Sequence, residues 1–307
     1  MVEVAAAVIL RADGAFLLAQ RPAGKPYSGY WEFPGGKIEP GEPAGAALGR
    51  ELHEELGIEL RRAYPWITRV FAYSHATVRL NFFRVTGWTG EPHPREEQAI
   101  AWQRLDAPLV APMLPANAPV LASLALPHEY AITSAGTMGA AAQLERLERR
   151  LKQGLSLVQV REPELAPAER EAFTGAVLAL THRYRGKVLV KSRFAGADGI
   201  HYTAKELMAL RERPQGLLAA ASCHDALELA RAEQLGLDFA ALGPVHATAS
   251  HAPMRPLGWE GFAALARGAS IPVYAIGGLR RGELERAWQS GAHGVAMIAG
   301  AWETLTS

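Results

Sequence analysis

Residues 36–58 read GKIEPGEPAGAALGRELHEELGI, and the spacing within them decides how the first part of the chain folds. Gly36, Glu42, Arg50, Glu51, Leu52, Glu54, Glu55, Gly57 and Ile58 stand in the frame G-x5-E-x7-R-E-L-x-E-E-x-G-I. On a helix, positions i, i+3 and i+4 share a face, so Glu51, Glu54 and Glu55 are expected to converge. Leu48, Leu52 and Leu56 form an arc centred roughly 110° away, which turns the leucines inward and leaves three carboxylates at the rim.

Three like charges on one face repel. A hard divalent cation such as Mg2+ removes that cost, because it takes oxygen ligands and is readily shared with substrate phosphates. A bare RELxEE is ordinarily a solvated, charge-rich helix. Seven fixed residues in one frame arise by chance on the order of once in 10^8 at ~7% usage per residue type, so the functional reading is preferred.

The length of 307 residues suggests two domains, with one large α/β domain as the alternative. Hydrophobic residues make up 49% and charged residues 21%, with a net charge of +1. That balance argues against a broad interface with a nucleic acid polymer or an anionic membrane, while leaving free nucleotides open as small-molecule partners. Cys223 is the sole cysteine, which excludes an internal disulfide and fits a reducing cytoplasm. The opening MVEVAAAVILRADG lacks a basic n-region and a small-residue cleavage site, so it is read as a buried strand rather than a signal peptide. No apolar stretch approaches the ~20 residues of a membrane span.

Along the first part, Val4–Leu10 and Phe16–Ala19 are expected as strands around the turn Ala12-Asp13-Gly14. A helix follows from about Pro43 to Leu56, stopped by Gly57. Ile67–Tyr73, Val78–Val85 and Ala101–Leu105 are further strands, and Ala118–Leu126 is a helix in a proline-punctuated region. The boundary is placed near residue 128, giving domains 1–128 and 129–307. Beyond it the pattern changes. A helix is expected at Ala140–Lys152, and strands at Tyr130–Thr133, Ser156–Val160, Lys187–Val190, Gly199–His201, Leu217–Ala220, Phe239–Leu242, Pro272–Ala275 and Gly294–Met297. Eight short β segments alternating with helices indicate an α/β chain ending in a (β/α)8 TIM barrel.

The frame of residues 36–58 is that of the Nudix box, and the chain resembles the MutT type of Nudix hydrolase, pyrophosphohydrolases that remove oxidised guanine nucleotides. Leu18-Ala19-Gln20-Arg21, Trp31-Glu32-Phe33-Pro34-Gly35-Gly36-Lys37-Ile38-Glu39, Gly90-Glu91-Pro92 and Pro115-Ala116-Asn117-Ala118-Pro119-Val120 fall in that family's order. The resemblance implies a Nudix fold, a mixed sheet with helices, hydrolysing 8-oxo-dGTP to 8-oxo-dGMP and pyrophosphate in nucleotide-pool sanitation. It implies Mg2+, or Mn2+ in its place, held by Glu54, Glu55, the carbonyl of Gly35, and Glu96 from a separate loop, with Glu97 as the alternative to Glu96. Glu51 is implied as the general base or as an additional metal ligand, and Arg50 as the group orienting the carboxylates through charge-assisted hydrogen bonds. Arg21 and Lys37 are expected to neutralise phosphate, with Glu32, Phe33 and Pro34 beside the nucleotide. Asn117 carries a donor and an acceptor, and the matching residue of MutT-type enzymes pairs with the oxidised base. Phe33 and Phe82 would line the base pocket, or else serve as core aromatics.

From residue 130 the chain resembles thiamine phosphate synthase and its thiazole tautomerase relatives, through Tyr130-Ala131-Ile132-Thr133, Val158-Gln159-Val160-Arg161-Glu162, Gly199-Ile200-His201, Gly243-Pro244-Val245, Thr248, Pro272–Gly278 and Gly291–Ala296. The resemblance implies a phosphorylated small ligand held by Gln159, Arg161, Thr248, Gly277, Gly278, Ala299 and Gly300, with His246 and His251 as acid/base candidates. Departures weaken synthase activity. Pro163 and His251 stand where lysines belong, Lys191-Ser192 replaces Asn-Asp, and Glu206 substitutes for an Asp, so a site for Mg-pyrophosphate is electrostatically impoverished. The first reading is therefore a MutT-type hydrolase with a degenerate barrel. The alternative is a thiamine-pathway protein, a tautomerase or thiamine phosphate binder, whose Nudix half senses or hydrolyses a thiamine-related diphosphate. The complete set of box carboxylates favours an enzyme, and Asn117 favours the guanine nucleotide.

Overall fold

The apolar run at the start, except Leu10, lies within strand β1, Val2–Ile9, of the computed structural model, which describes residues 1–74, 76–95, 98–107, 109–248 and 255–303. The chain divides into two units, Met1–Leu126 and Pro127–Ser307.

In the first unit β1 is followed by β2 (Phe16–Gln20), β3 (Trp31–Glu32), β4 (Gly35–Lys37), α1 (Ala44–Leu56), β5 (Glu59–Ala72), β6 (Thr77–Thr89), β7 (Ile100–Gln103) and α2 (Asn117–Leu124). A mixed sheet runs in the order β4-β1-β6-β5, with β1 and β6 parallel, and an antiparallel sheet runs β3-β2-β7. The turn at Ala12–Gly14 therefore carries the chain from one sheet into the other. Alternation along β1 feeds two cores. Ala5, Ala7 and Ile9 meet Leu48, Leu52 and Leu56 of α1, while Ala6 and Val8 meet Phe16, Phe33, Phe82, Trp66 and Val120. Phe33 and Phe82 are thus core aromatics, packed edge to face at 5.9 Å.

Strands β5 and β6 are longer than hydrophobic periodicity predicts. Their pairing slips between Leu60 and Arg62, Arg62 and Ala63, and Pro65 and Thr68. Each slip resets which side chains face inward, so alternation over the first half of β5 is scrambled in the sequence.

The second unit is a closed parallel barrel of β8 (Glu129–Ile132), β9 (Leu157–Gln159), β10 (Lys187–Val190), β11 (Gly199–Tyr202), β12 (Leu218–Cys223), β13 (Phe239–Leu242), β14 (Val273–Ile276) and β15 (Gly294–Met297), closed by β15 pairing with β8. Around it lie α3 (Ala135–Met138), α4 (Ala140–Lys152), α5 (Pro167–Arg183), α6 (Ala204–Ala209), α7 (Ala226–Gln234), α8 (Gly258–Ala266), a 3-10 turn (Arg281–Glu283), α9 (Leu284–Gln289) and α10 (Ala299–Trp302). Val158, Val188, Ala221, Ala240, Val273 and Val295 belong to the core shared with the helices. The alternate positions fill the barrel, where the rings of Tyr130, Phe239 and Tyr274 pack edge to face or tilted with centroids 5.0–5.8 Å apart. No helix among the described residues is long and apolar enough to cross a membrane.

His201 shares that interior. Its Nδ1 bonds the Tyr130 hydroxyl at 3.0 Å and its Nε2 the Ser222 hydroxyl at 2.9 Å. Burial first, and the charge of Arg161 second, lower its pKa from 6.5 to about 3. The ring therefore protonates in the unfolded chain before it does in the folded one. Stability above pH 6.5 owes nothing to this difference and falls as pH drops from 6.5 toward about 3. Urea unfolding across that window is expected to show a slope contribution of up to about 1.4 kcal/mol per pH unit that disappears in His201→Gln. Identical slopes in the two proteins would mean that the ring is solvated.

Candidate active site

Helix α1 begins after Pro43 and ends at Gly57, whose left-handed conformation (φ 66°) closes it through an N–H bond to the His53 carbonyl. The leucine stripe is fully buried, and the neighbouring carboxylate face lies beside β4, bonded to Gly35 and Lys37. Arg50 organises that face. Its Nε and Nη2 donate to the two oxygens of Glu42 at 3.1 and 3.0 Å, and Nη1 donates to Glu51 at 2.8 Å and to Glu54 at 3.4 Å. Nη2 also donates to the Lys37 carbonyl at 3.0 Å, tying the helix to β4. The hydrogen bond from Arg50, followed by that from the Glu39 amide, holds the Glu42 carboxyl below the usual range. Glu42 was visible as a fixed point of the frame; its function as the principal partner of Arg50 was not.

The three carboxylates share a face but do not meet at one point, in contrast to the convergence their spacing predicts. Glu51 turns toward Gly36 and Arg50, Glu55 accepts from the Gly35 amide at 3.1 Å, and Glu54 remains half exposed. Arg50 Nη1 bridges Glu51 and Glu54, while Glu55 is turned to a backbone amide. Among the described residues no three His, Cys, Asp or Glu side chains are grouped to hold a metal ion. Glu96 and Glu97 lie outside the described residues. The chemistry of the donor set nonetheless suits a hard divalent cation. Every candidate side chain is a carboxylate, and the space that a Cβ of Gly36 would fill is taken by the Glu51 carboxyl.

The other predicted residues of this unit are placed as follows. Arg21 Nη1 binds both oxygens of Glu32 at 2.7 Å and its Nε donates to the Pro26 carbonyl at 2.7 Å, so its charge is already matched by a carboxylate. Burial raises the Glu32 carboxyl by more than Arg21 lowers it. Lys37 ends β4 with its side chain exposed, and the Pro34 carbonyl accepts from Ala7 at 2.8 Å. Asn117 is the first residue of α2, only 3% exposed, and its Nδ2 donates to the Trp31 carbonyl at 3.1 Å.

In the barrel, a cavity of about 360 Å³ gathers Thr248, Gly277, Gly278, Ala299 and Gly300, five of the predicted ligand residues. Gly277 has φ 110°, and a Cβ there would press on Pro244, so only glycine fits. Gln159 and Arg161 are not in the cavity lining: Gln159 is buried at the end of β9, and the Arg161 amide bonds the Thr133 hydroxyl at 3.1 Å. His246 lies beside Gly278 with its Nε2 2.7 Å from Glu283. His251 is outside the described residues. Ser222, Cys223 and His224 also line the cavity, the Cys223 thiol being pushed up by burial to about 12. The His224 Nδ1 lies 2.9 Å from Glu228, one helical turn along the chain. At the other substituted positions, Glu206 accepts from the Thr203 amide and hydroxyl at 2.8 Å to cap α6, and Lys191 lies 3.9 Å from it.

A model of the NUDIX domain matches residues 1–124, and one described as thiamine monophosphate synthase matches residues 129–301. The chain belongs to the Nudix family in its first unit and to the thiamine monophosphate synthase family in its second, and it is a Nudix hydrolase. The first unit is 42% identical over 121 residues to the CTP pyrophosphohydrolase of Escherichia coli, covering 39% of this chain and 89% of that protein. It is 36% identical over 121 residues to the 8-oxo-dGTP diphosphatase of Haemophilus influenzae, again covering 39% and 89%. The second unit is 33% identical over 182 residues to the putative thiamine-phosphate synthase 2 of Aquifex aeolicus, covering 57% of this chain and 97% of that protein.

The overlap at Gly36 gives a direct probe. Gly36→Ala displaces only the flexible end of Glu51, so the thermal unfolding midpoint is expected to move little, while hydrolysis falls by ~10^2-fold or more, the size of a lost proton acceptor. Unchanged turnover in a folded Gly36→Ala protein would remove Glu51 from the reaction.

Proposed function

We propose that the first unit is a Mg2+-dependent nucleoside triphosphate pyrophosphohydrolase whose preferred substrate is 8-oxo-dGTP, converted with one water to 8-oxo-dGMP and pyrophosphate. The observation that carries this reading is the arginine-bridged carboxylate face of α1 set against Gly35 and Gly36. Glu54, Glu55, the Gly35 carbonyl and Glu96 would hold the cation, with Mn2+ as its substitute; when bound, it supplies charge neutralisation for the triphosphate and the departing pyrophosphate. Glu51 takes the proton of the attacking water, and Arg50 fixes the orientation of that carboxylate. Lys37 offers its ammonium to the phosphates, and Arg21 does so on exchanging part of its bond to Glu32. The side-chain amide of Asn117, anchored through Nδ2 on Trp31, offers its oxygen to the base edge.

A cytidine nucleotide is the second reading, favoured by the higher identity to the relative named CTP pyrophosphohydrolase. For the barrel, we infer a binding site for a phosphorylated small ligand at Gly277-Gly278 and Ala299-Gly300 without synthase activity. The capping duty of Glu206 supports that reading, because its carboxylate is already hydrogen-bonded to Thr203.

A hydrolysis panel of 8-oxo-dGTP, dGTP, CTP, ADP-ribose and thiamine diphosphate with Mg2+ tests the assignment. Preference for 8-oxo-dGTP, loss of at least ~10^3-fold in Glu54→Gln/Glu55→Gln, and a tenfold or larger loss of base discrimination in Asn117→Ala are expected. Preference for CTP would select the second reading, and preference for thiamine diphosphate would reject both. Rescue of a thiamine auxotroph by the chain would show that the barrel retains synthase activity.

A further inference from the structure

The barrel unit has a second cavity, of about 390 Å³, that shares only Glu303 with the first. Four arginines line it, Arg146, Arg149 and Arg150 from α4 and Arg281 from the 3-10 turn, against two carboxylates, Glu129 and Glu303. Two positive charges are therefore in excess. The carboxylates are already engaged: Glu129 binds Arg150, and Glu303 lies 3.4 Å from Arg280 while its carbonyl accepts from Arg281 at 3.3 Å. Arg150, 5% exposed, is fully used, with Nε on the Ala301 carbonyl at 3.0 Å and Nη1 on Gln153 at 2.9 Å. Arg146 and Arg149 make no hydrogen bond or ion pair among the described residues.

Exposed arginines on a helix ordinarily form a solvated stripe. Here three of them fall at i, i+3 and i+4, and a fourth is brought to the same cavity from 131 residues later in the chain. Burial lowers the pKa of Arg150, and the like charge of Arg281 adds to this against the pull of Glu129. Gathering like charges around a hollow raises the energy of the folded chain unless an anion occupies it.

We propose that this cavity binds a small polyanion of the pyrophosphate class, two linked phosphoryl groups gripped by Arg146, Arg149 and Arg281. Guanidinium forks match phosphoryl oxygens in pairs, and Cβ atoms one helical turn apart, about 5–6 Å, suit two adjacent phosphoryl groups better than one. The same chemistry is offered by free pyrophosphate and by the diphosphate of a nucleotide.

Calorimetric titration of the full chain in EDTA with pyrophosphate, orthophosphate and ADP, combined with hydrogen exchange over residues 144–153, tests this site. Pyrophosphate is expected to bind more tightly than orthophosphate and to protect that segment. Its affinity is expected to drop at least ~tenfold in Arg146→Ala/Arg149→Ala and less in Arg146→Lys/Arg149→Lys, which keeps the charge but loses the fork. Alanine preserves helix propensity, and Arg146→Gln/Arg149→Gln serves if the first variant does not fold. Competition by ADP would mark the nucleotide as the source, and its absence free pyrophosphate. Undiminished affinity in the folded variants, or protection confined to the strand-end cavity, overturns the proposal.

Discussion

One guanidinium holds the first unit's site together. The face of α1 presents Glu51, Glu54 and Glu55 within little more than one turn, and the adjoining leucine face must stay apolar to be buried. Helix periodicity alone would leave that rim electrostatically unfavourable. Arg50 resolves this by bonding Glu42, Glu51, Glu54 and the Lys37 carbonyl at once. The same contacts fasten the helix to β4, so the position of the carboxylates and the docking of the helix are a single problem with a single solution. A lysine could match the charge but not the number and fixed angles of these bonds.

The barrel unit shows the opposite arrangement. Its framework is conventional, with side chains alternating between helix-facing aliphatics and an interior of aromatic rings. Its rim, however, uses charged groups for internal purposes: Glu206 caps α6 and pairs with Lys191, and His246 faces Glu283. Backbone groups at Gly277-Gly278 and Ala299-Gly300 still surround a cavity. The cavity is thus lined largely by backbone and small residues, while Glu206 and His246 have partners within the protein.

Much of this was legible because it is local. The extent of α1 follows from its leucine period and Gly57, and β10, β13 and β15 coincide with their apolar runs because a parallel strand buried on both faces needs no alternation. Features set by distant partners were not legible. The first half of β5 is defined by slipped pairing with β6, which no periodicity in either strand encodes. The bond between Asn117 and Trp31 joins residues 86 apart, so the sequence shows an asparagine between prolines and not an anchored one. The spacing of Glu51, Glu54 and Glu55 correctly gives a shared face, yet their directions depend on Arg50 and the Gly35 amide.

Strand β5 has one further consequence. It is the outermost member of its sheet and extends from Glu59 to Ala72, a length at which an edge strand is ordinarily able to recruit a foreign strand. Pro65 removes one of those amides, the slips on either side kink the ribbon, and Arg61, Arg62 and Arg69 place charge along it. The irregularity that hid this strand from a periodicity reading is of the kind by which sheet borders ordinarily resist templating fibrous self-association.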